Sequence, residues 1–148
     1  MRRLRKFIAL PLQQKWLFAK AWCLLLAYRL ALVFVPLKRI TRTMNHSSSP
    51  QSMPALTPDQ QAKACEVGQL VAHAAVATPC SSRCLVQVLV VQRLLVASGI
   101  PGQFFLGVNR AGAGAADSLA HAWLICGDTI VSGEPGSEQF SVVSSYAW

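Results

Sequence analysis

Two residues in this chain have the types and positions that covalent catalysis needs, Cys84 and His121. Cys84 begins an apolar run that ends at Gly99 and Pro101, and this pattern predicts a helix over about residues 82–98. A thiol in the first turn of a helix faces unpaired backbone N–H groups, which favour the thiolate and can donate to an oxyanion. His121 opens an apolar, strand-like run. Its imidazole could take the thiol proton or hold the ion pair, if a third polar group orients the ring.

Each of these residues also has a structural interpretation. A cysteine is commonly a small buried hydrophobe, and a lone histidine is commonly a satisfied core or surface residue. The order of the motifs favours the catalytic interpretation: Ser-Arg-Cys precedes the helix, Gly-Ile-Pro follows it, and His-Ala-Trp opens a hairpin after a strand and a loop. Trp123, two residues from His121, should share its face of the strand. We expect Trp123 to fill the core rather than wall the cleft.

The positions of the remaining histidines and cysteines in the sequence do not indicate a metal or cofactor site. His46 lies in a Ser/Pro-rich segment and His73 lies off an apolar helical stripe, so both are expected at the surface. Cys80 and Cys84 are four residues apart without the partner ligands that zinc requires. Cys126 ends a strand and has no identifiable partner. Five cysteines without a regular framework, and no secretory signal at the start of the chain, predict free thiols in the reducing cytoplasm.

Charge and composition divide the chain into three parts. Residues 1–45 hold ten Lys/Arg and no Asp/Glu, whereas residues 46–148 hold four bases against six acids, a net charge of −2. The basic charge therefore belongs to an N-terminal arm, and a nucleic-acid partner is not predicted. We interpret residues 1–45 as a basic, apolar helical arm for docking, residues 46–56 as a linker rich in Ser and Pro, and residues 57–148 as the catalytic domain.

The arm contains the most hydrophobic stretch, Trp16–Ile40. Three basic residues and Pro36 bound or interrupt it, and a charge at the centre of a membrane span costs about 2.5–3.5 kcal/mol. We therefore expect one or two helices packed on the body, on a partner, or on both, rather than a simple span. Arg2, Arg3, Arg5 and Lys6 are expected to form a solvated basic face, and the alternative is that they contact anionic lipid at a membrane surface.

The body has the pattern of an α+β domain. Thr57, Pro58 and Gln60 predict the start of a helix, whose apolar positions recur at helical spacing. After the Cys84 helix, "QFFLGVN" predicts a strand, "LAHAWLIC" and "TIVSGE" predict a hairpin around Gly127-Asp128, and "EQFSVV" predicts one more strand. A helix packed on a small antiparallel sheet follows from this order.

The segment "SRCLVQVLVVQRLLVASGIPGQFFLGV" followed by "AHAWLICGDTIVSGE" resembles the transglutaminase-like, papain-like cysteine peptidases that remove the leader from lasso-peptide precursors. The likeness extends over about residues 78–145, and the N-terminal apolar stretch is similar to the helical arm of these proteins. The resemblance implies that Cys84 is the nucleophile and His121 the general base and acid. In the family an acid, usually Asp, follows the histidine by about a dozen residues. This chain has Gly133 there and Glu134 beside it, so Glu134 is the expected third residue. Asp128, in the hairpin turn, is the second choice.

The resemblance also implies the biological context. It predicts a cytoplasmic enzyme that cuts a ribosomally made precursor and passes the core peptide, with a free amine, to an ATP-dependent macrolactam cyclase. A separate leader-recognition protein is expected, and the apolar arm is a candidate surface for docking it. Two other functions stay open. One is a catalytically degenerate peptide-binding scaffold of the same complex, and the other is an acyl transferase with the same Cys-His site.

Overall fold

The structure, a computed structural model, describes residues 12–78, 84–109, 120–133 and 137–148. The first helix among the described residues is α1, Leu12–Phe34, which Lys20 and Arg29 do not interrupt. Pro36 follows the end of α1 and precedes the short helix α2, Leu37–Ile40. In length and hydropathy, with a mean of 1.8, Gln14–Phe34 would be sufficient to cross a membrane, as many core helices would be. It is the one helix of that kind in the four described ranges.

One face of α1 packs on the body of the protein. Ala21 and Leu25 are almost fully buried in the same hydrophobic cluster as residues of the later helices and the sheet. Gln14 also donates a hydrogen bond of 3.0 Å to Glu66 on the next long helix. The predicted arm and catalytic domain therefore share one core in the described part of the chain.

The two helices of the body form where the sequence predicts them. Helix α3, Pro58–Val76, begins with a capping box in which Thr57 and Gln60 exchange side-chain and backbone hydrogen bonds. Helix α4, Cys84–Ala97, is buried over most of its length because it carries apolar side chains on nearly all sides. The helix ends at Ala97, and Gly99, with a φ of +66°, lets the chain turn sharply toward the sheet. Residues 79–83, including Cys80, lie outside the described ranges.

The described strands form one antiparallel sheet in the order β1-β5-β2-β3-β4, so the predicted α+β class is confirmed. The strands are β1, Asn45–Ser47; β2, Gln103–Asn109; β3, Ala120–Cys126; β4, Thr129–Ser132; and β5, Phe140–Ala147, which follows a 3-10 turn at Ser137–Gln139. The predicted hairpin is β3–β4, turning through Gly127 at a φ of +56°. Its neighbour β2 lies at the centre of the sheet, between β3 and β5.

The segment interpreted as a linker, residues 46–56, is held on the sheet. Strand β1 pairs with β5, and Ser145 donates a 2.6 Å hydrogen bond to the carbonyl of Ser49. The side-chain amide of Gln103 both accepts from and donates to the backbone of Gln51, each at 3.0 Å. Its Ser/Pro composition predicts a linker, and these long-range hydrogen bonds attach the described segment to the sheet.

Candidate active site

Cys84 and His121 line the same cleft, which has a volume of about 450 Å³. The helix α3 contributes one wall through Gly68, Gln69 and Ala72, and strand β4 with the residue after it contributes the other. The close approach of these walls depends on Gly68, because a Cβ there would overlap the Val131 carbonyl oxygen. We call this space the Cys84 cleft.

Cys84 is the first described residue of α4 and is half-buried against the hydrophobic core. Gln87, one helical turn later, lines the same cleft. No hydrogen bond joins Cys84 to His121 among the described residues. In unliganded enzymes such catalytic hydrogen bonds are often long and tighten only when substrate binds. The roles of Cys84 and His121 as nucleophile and base stay predictions.

His121 is oriented by a backbone group. Its Nε2 lies 2.7 Å from the carbonyl oxygen of Gly133. A carbonyl oxygen can only accept, so Nε2 carries the hydrogen and donates it. In the neutral ring, Nδ1 is then the basic nitrogen. The carbonyl thus selects the tautomer of His121. A carboxylate has the same role in a Cys-His-Asp arrangement.

Gly133 can supply this carbonyl because it has no side chain. Its φ is +79°, in the left-handed region that favours glycine. A Cβ at this position would overlap the Ala122 carbonyl oxygen and lie 2.8 Å from Trp123 Cα. The residue that follows β4 therefore approaches the backbone of β3 more closely than other residue types allow, and the approach brings its oxygen to the imidazole.

Aromatic side chains restrict the imidazole further. The ring of His121 lies 6.0 Å from Trp123 and 5.1 Å from Phe140, and Trp123 stacks on Phe105 at 5.5 Å. A Cβ at Gly107 would come within 2.9 Å of both Trp123 and Phe140, so the absence of a side chain there makes room for this packing. Trp123 is only 6% exposed and packs beside His121.

The two acids considered from the sequence have different outcomes. Glu134 lies outside the described residues. Asp128 lies in the turn at the far end of β3 and lines a second cleft of about 580 Å³ together with Gln61. The structure therefore does not bring Asp128 to His121. It brings the Gly133 carbonyl instead, which sequence reasoning missed because a backbone oxygen has no residue-type signal.

The other described thiols and imidazoles lie away from the Cys84 cleft. Cys126 is fully buried, and burial together with the nearby Cys65 raises its pKa from 9.0 to about 12. His46 is exposed and lies 3.3 Å from the Ser144 hydroxyl, and His73 is exposed on α3. The described ranges contain no cluster of three potential metal ligands among His, Cys, Asp and Glu.

Comparison with known proteins places the chain in a family. The family model of the transglutaminase-like superfamily matches residues 24–145, beginning inside α1 and ending inside β5. Neither curated proteins nor solved structures gave a match. The matched range contains both α4 and the β3–β4 hairpin, and the superfamily generally contains cysteine-dependent enzymes. Since the match covers most of the chain, this protein belongs to the transglutaminase-like superfamily.

Proposed function

We propose that this protein is a cysteine peptidase that removes the leader from a lasso-peptide precursor. The observation that carries the proposal is the Cys84 cleft, where the thiol of Cys84 on α4 and an imidazole held through Nε2 line one space. Membership of a superfamily of cysteine-dependent enzymes supports the reaction type. The choice of a lasso precursor as substrate rests on the sequence resemblance around Cys84 and His121.

The reaction follows from the two groups. The Cys84 thiolate attacks the carbonyl carbon at the leader–core junction, and N–H groups at the start of α4 stabilise the oxyanion. His121, protonated, gives its proton to the departing amine as the C–N bond breaks. Water then attacks the thioester while His121 takes its proton, which releases the leader carboxylate and restores Cys84. The core peptide leaves with a free amine.

In this proposal the Gly133 carbonyl orients His121 where related enzymes use an acid. A neutral carbonyl stabilises an imidazolium less than a carboxylate does, because hydrogen bonds to charged acceptors are about twice as strong. The site should therefore depend on packing by Trp123 and Phe140 to hold the ring. Glu134 stays a proposed second acceptor for the imidazolium.

The context of the reaction is also a proposal. A leader-recognition protein would present the precursor, and an ATP-dependent cyclase would take the free core amine. Both would meet this enzyme in the cytoplasm, where its thiols stay reduced.

The test uses the full chain, a candidate precursor peptide, and the leader-recognition partner added or left out. Mass spectrometry should find the leader with a new carboxylate and the core with a free amine. Cys84→Ala and His121→Ala should abolish cleavage while circular dichroism stays unchanged. Cys23→Ala is the matched control, because Cys23 is exposed on α1 and outside the cleft. Cleavage by the Cys84→Ala protein would contradict the assignment.

A second candidate, a non-catalytic peptide-binding scaffold, is favoured by the absence of a Cys84–His121 hydrogen bond in the described part of the chain. A thiol probe separates the two. An activated Cys84 should label faster at neutral pH than Cys23, although Cys23 is more exposed. Labelling of Cys84 no faster than Cys23 would favour the scaffold. A third outcome, a leader carrying an added amine, would indicate acyl transfer.

A further inference from the structure

The helix α1 is apolar on the face that points away from the protein as well as on the face that packs inward. One set of exposed residues recurs at intervals of three and four along the helix, so it forms a continuous stripe. We define this outward stripe as Trp16, Ala19, Cys23, Ala27, Leu30 and Phe34. Its large members are 63–81% exposed, which is unusual for three such side chains on one helix face.

The opposite face of α1 is committed to the core. Ala21 and Leu25 are 0% and 1% exposed and lie opposite the outward stripe at 3.6 residues per turn. Moving α1 into a membrane-spanning position would expose those residues and the surfaces of α3 and α4 beneath them. A helix that keeps its inner face on the protein can only offer its outer face, so any contact with lipid would lie in the plane of the membrane surface.

Charge indicates what covers the stripe. Residues 1–45 contain ten Lys/Arg and no acid, against a net charge of −2 in the remainder of the chain. Lys15 and Lys20 flank the stripe on opposite sides, and the Lys20 ammonium lies 5.1 Å from the Trp16 ring. Tryptophan with adjacent lysine is typical of the membrane–water interface. Lys38, Arg39 and Arg42 are exposed just beyond the helix.

These features disfavour the other occupants. A second copy would place the same cationic surface against itself, since a two-fold interface joins identical patches. Protein–protein interfaces usually contain polar groups that fix the orientation of the partner, with about one hydrogen bond per 100–200 Å² of interface. The outward stripe offers apolar side chains and one thiol.

We propose that the outward stripe of α1 binds the surface of an anionic lipid bilayer, with α1 lying in the membrane plane. The inference does not depend on the proposed peptidase reaction. Membrane attachment would hold the Cys84 cleft near the bilayer, because α1 packs on the same core as α3 and α4. The apolar stripe inserts between headgroups, and the basic residues pair with anionic headgroups.

The test is sedimentation of the full-length protein with vesicles of phosphatidylcholine containing one quarter phosphatidylglycerol, and with vesicles of phosphatidylcholine alone. Binding should be stronger to the anionic vesicles and should weaken at high salt. Leu30→Glu and Phe34→Glu should each lower the partition coefficient about tenfold or more, because each removes an inserted side chain and adds repulsion. Val76→Glu is the matched control, since Val76 is 71% exposed at the end of α3. Brominated lipid should quench fluorescence from the wild type and less so from Trp16→Phe.

Three results would overturn the inference. Sedimentation with anionic vesicles that Leu30→Glu and Phe34→Glu leave unchanged would mean that charge alone binds lipid. A dimer in solution that Leu30→Glu dissociates would mean that a second copy covers the stripe. Resistance of the membrane-bound protein to alkaline extraction would mean that the helix spans. Equal vesicle binding by Cys84→Ala would keep this test separate from the peptidase assignment.

Discussion

Substitution of Gly133 by alanine tests the orienting carbonyl directly. The substitution has two separable costs. A non-glycine residue at a φ of +79° loses about 1–2 kcal/mol in the left-handed region. The new Cβ would also overlap the backbone of β3 at Ala122 and Trp123, and such overpacking costs about 1–3 kcal/mol more. The free energy of unfolding should therefore fall by about 2–5 kcal/mol.

Gly99→Ala is the matched control. Gly99 has a similar φ of +66°, but a Cβ there meets no heavy atom within 4 Å. Its variant should lose only the conformational part, about 1–2 kcal/mol. Urea denaturation of both variants then isolates the steric cost as the difference between them.

The same substitution should disturb His121. To relieve the overlap, the chain after β4 must move away from β3 and carry its carbonyl from the imidazole. Loss of one hydrogen bond of about 1–1.5 kcal/mol predicts about a tenfold lower kcat for precursor cleavage. In ¹⁵N spectra of the imidazoles, His121 should hold the Nε2–H form in the wild type and in Gly99→Ala, and a mixture of tautomers in Gly133→Ala. Equal stability of the two variants, with His121 unchanged in both, would refute the argument.

Two further predictions concern Asp128 and Cys126. The rate of precursor cleavage by Asp128→Asn, measured by mass spectrometry, should be within about twofold of wild type, because Asp128 lines the second cleft. A loss of kcat comparable to that of His121→Ala would count against our placement of the site. Burial raises the pKa of Cys126 from 9.0 to about 12, so the proton is bound more tightly in the folded state. The protonated Cys126 thiol therefore makes its full contribution to the free energy of unfolding below about pH 9, and this contribution is lost as the pH rises toward 12. The free energies of unfolding of wild type and Cys126→Ala, measured by denaturation at each pH, should accordingly converge over that range. Free energies that stay a constant distance apart would contradict the raised pKa of Cys126.

Local signals in the sequence were sufficient for much of the fold. The Thr57 cap with Pro58 and Gln60 begins α3 as predicted, and Gly99 turns the chain just after the end of α4. The alternation in β2 and the Gly127-Asp128 turn likewise place the strands. These features are visible in sequence because each depends on residues within a few positions of one another.

The order of Cys84 and His121 along the chain suggested one site, and only the tertiary structure places both on one cleft. The Gly133 carbonyl could not be predicted, since an oxygen that every residue carries becomes distinctive only when two strands approach closely. Asp128 was the second choice among the acids that follow His121, and the length of β3 separates it from His121.

For the arm and the linker as well, the sequence predicts local properties and the tertiary structure shows the contacts. Their composition indicated an apolar, basic helical arm and a linker rich in Ser and Pro. Composition does not say which side of α1 meets the core or that β1 pairs with β5, because these contacts join residues far apart in the chain. The sequence alone was enough to predict α3, α4, the strands from β2 to β5 and the side chains that could react. Packing alone decided which face of α1 stays open and which oxygen holds the imidazole.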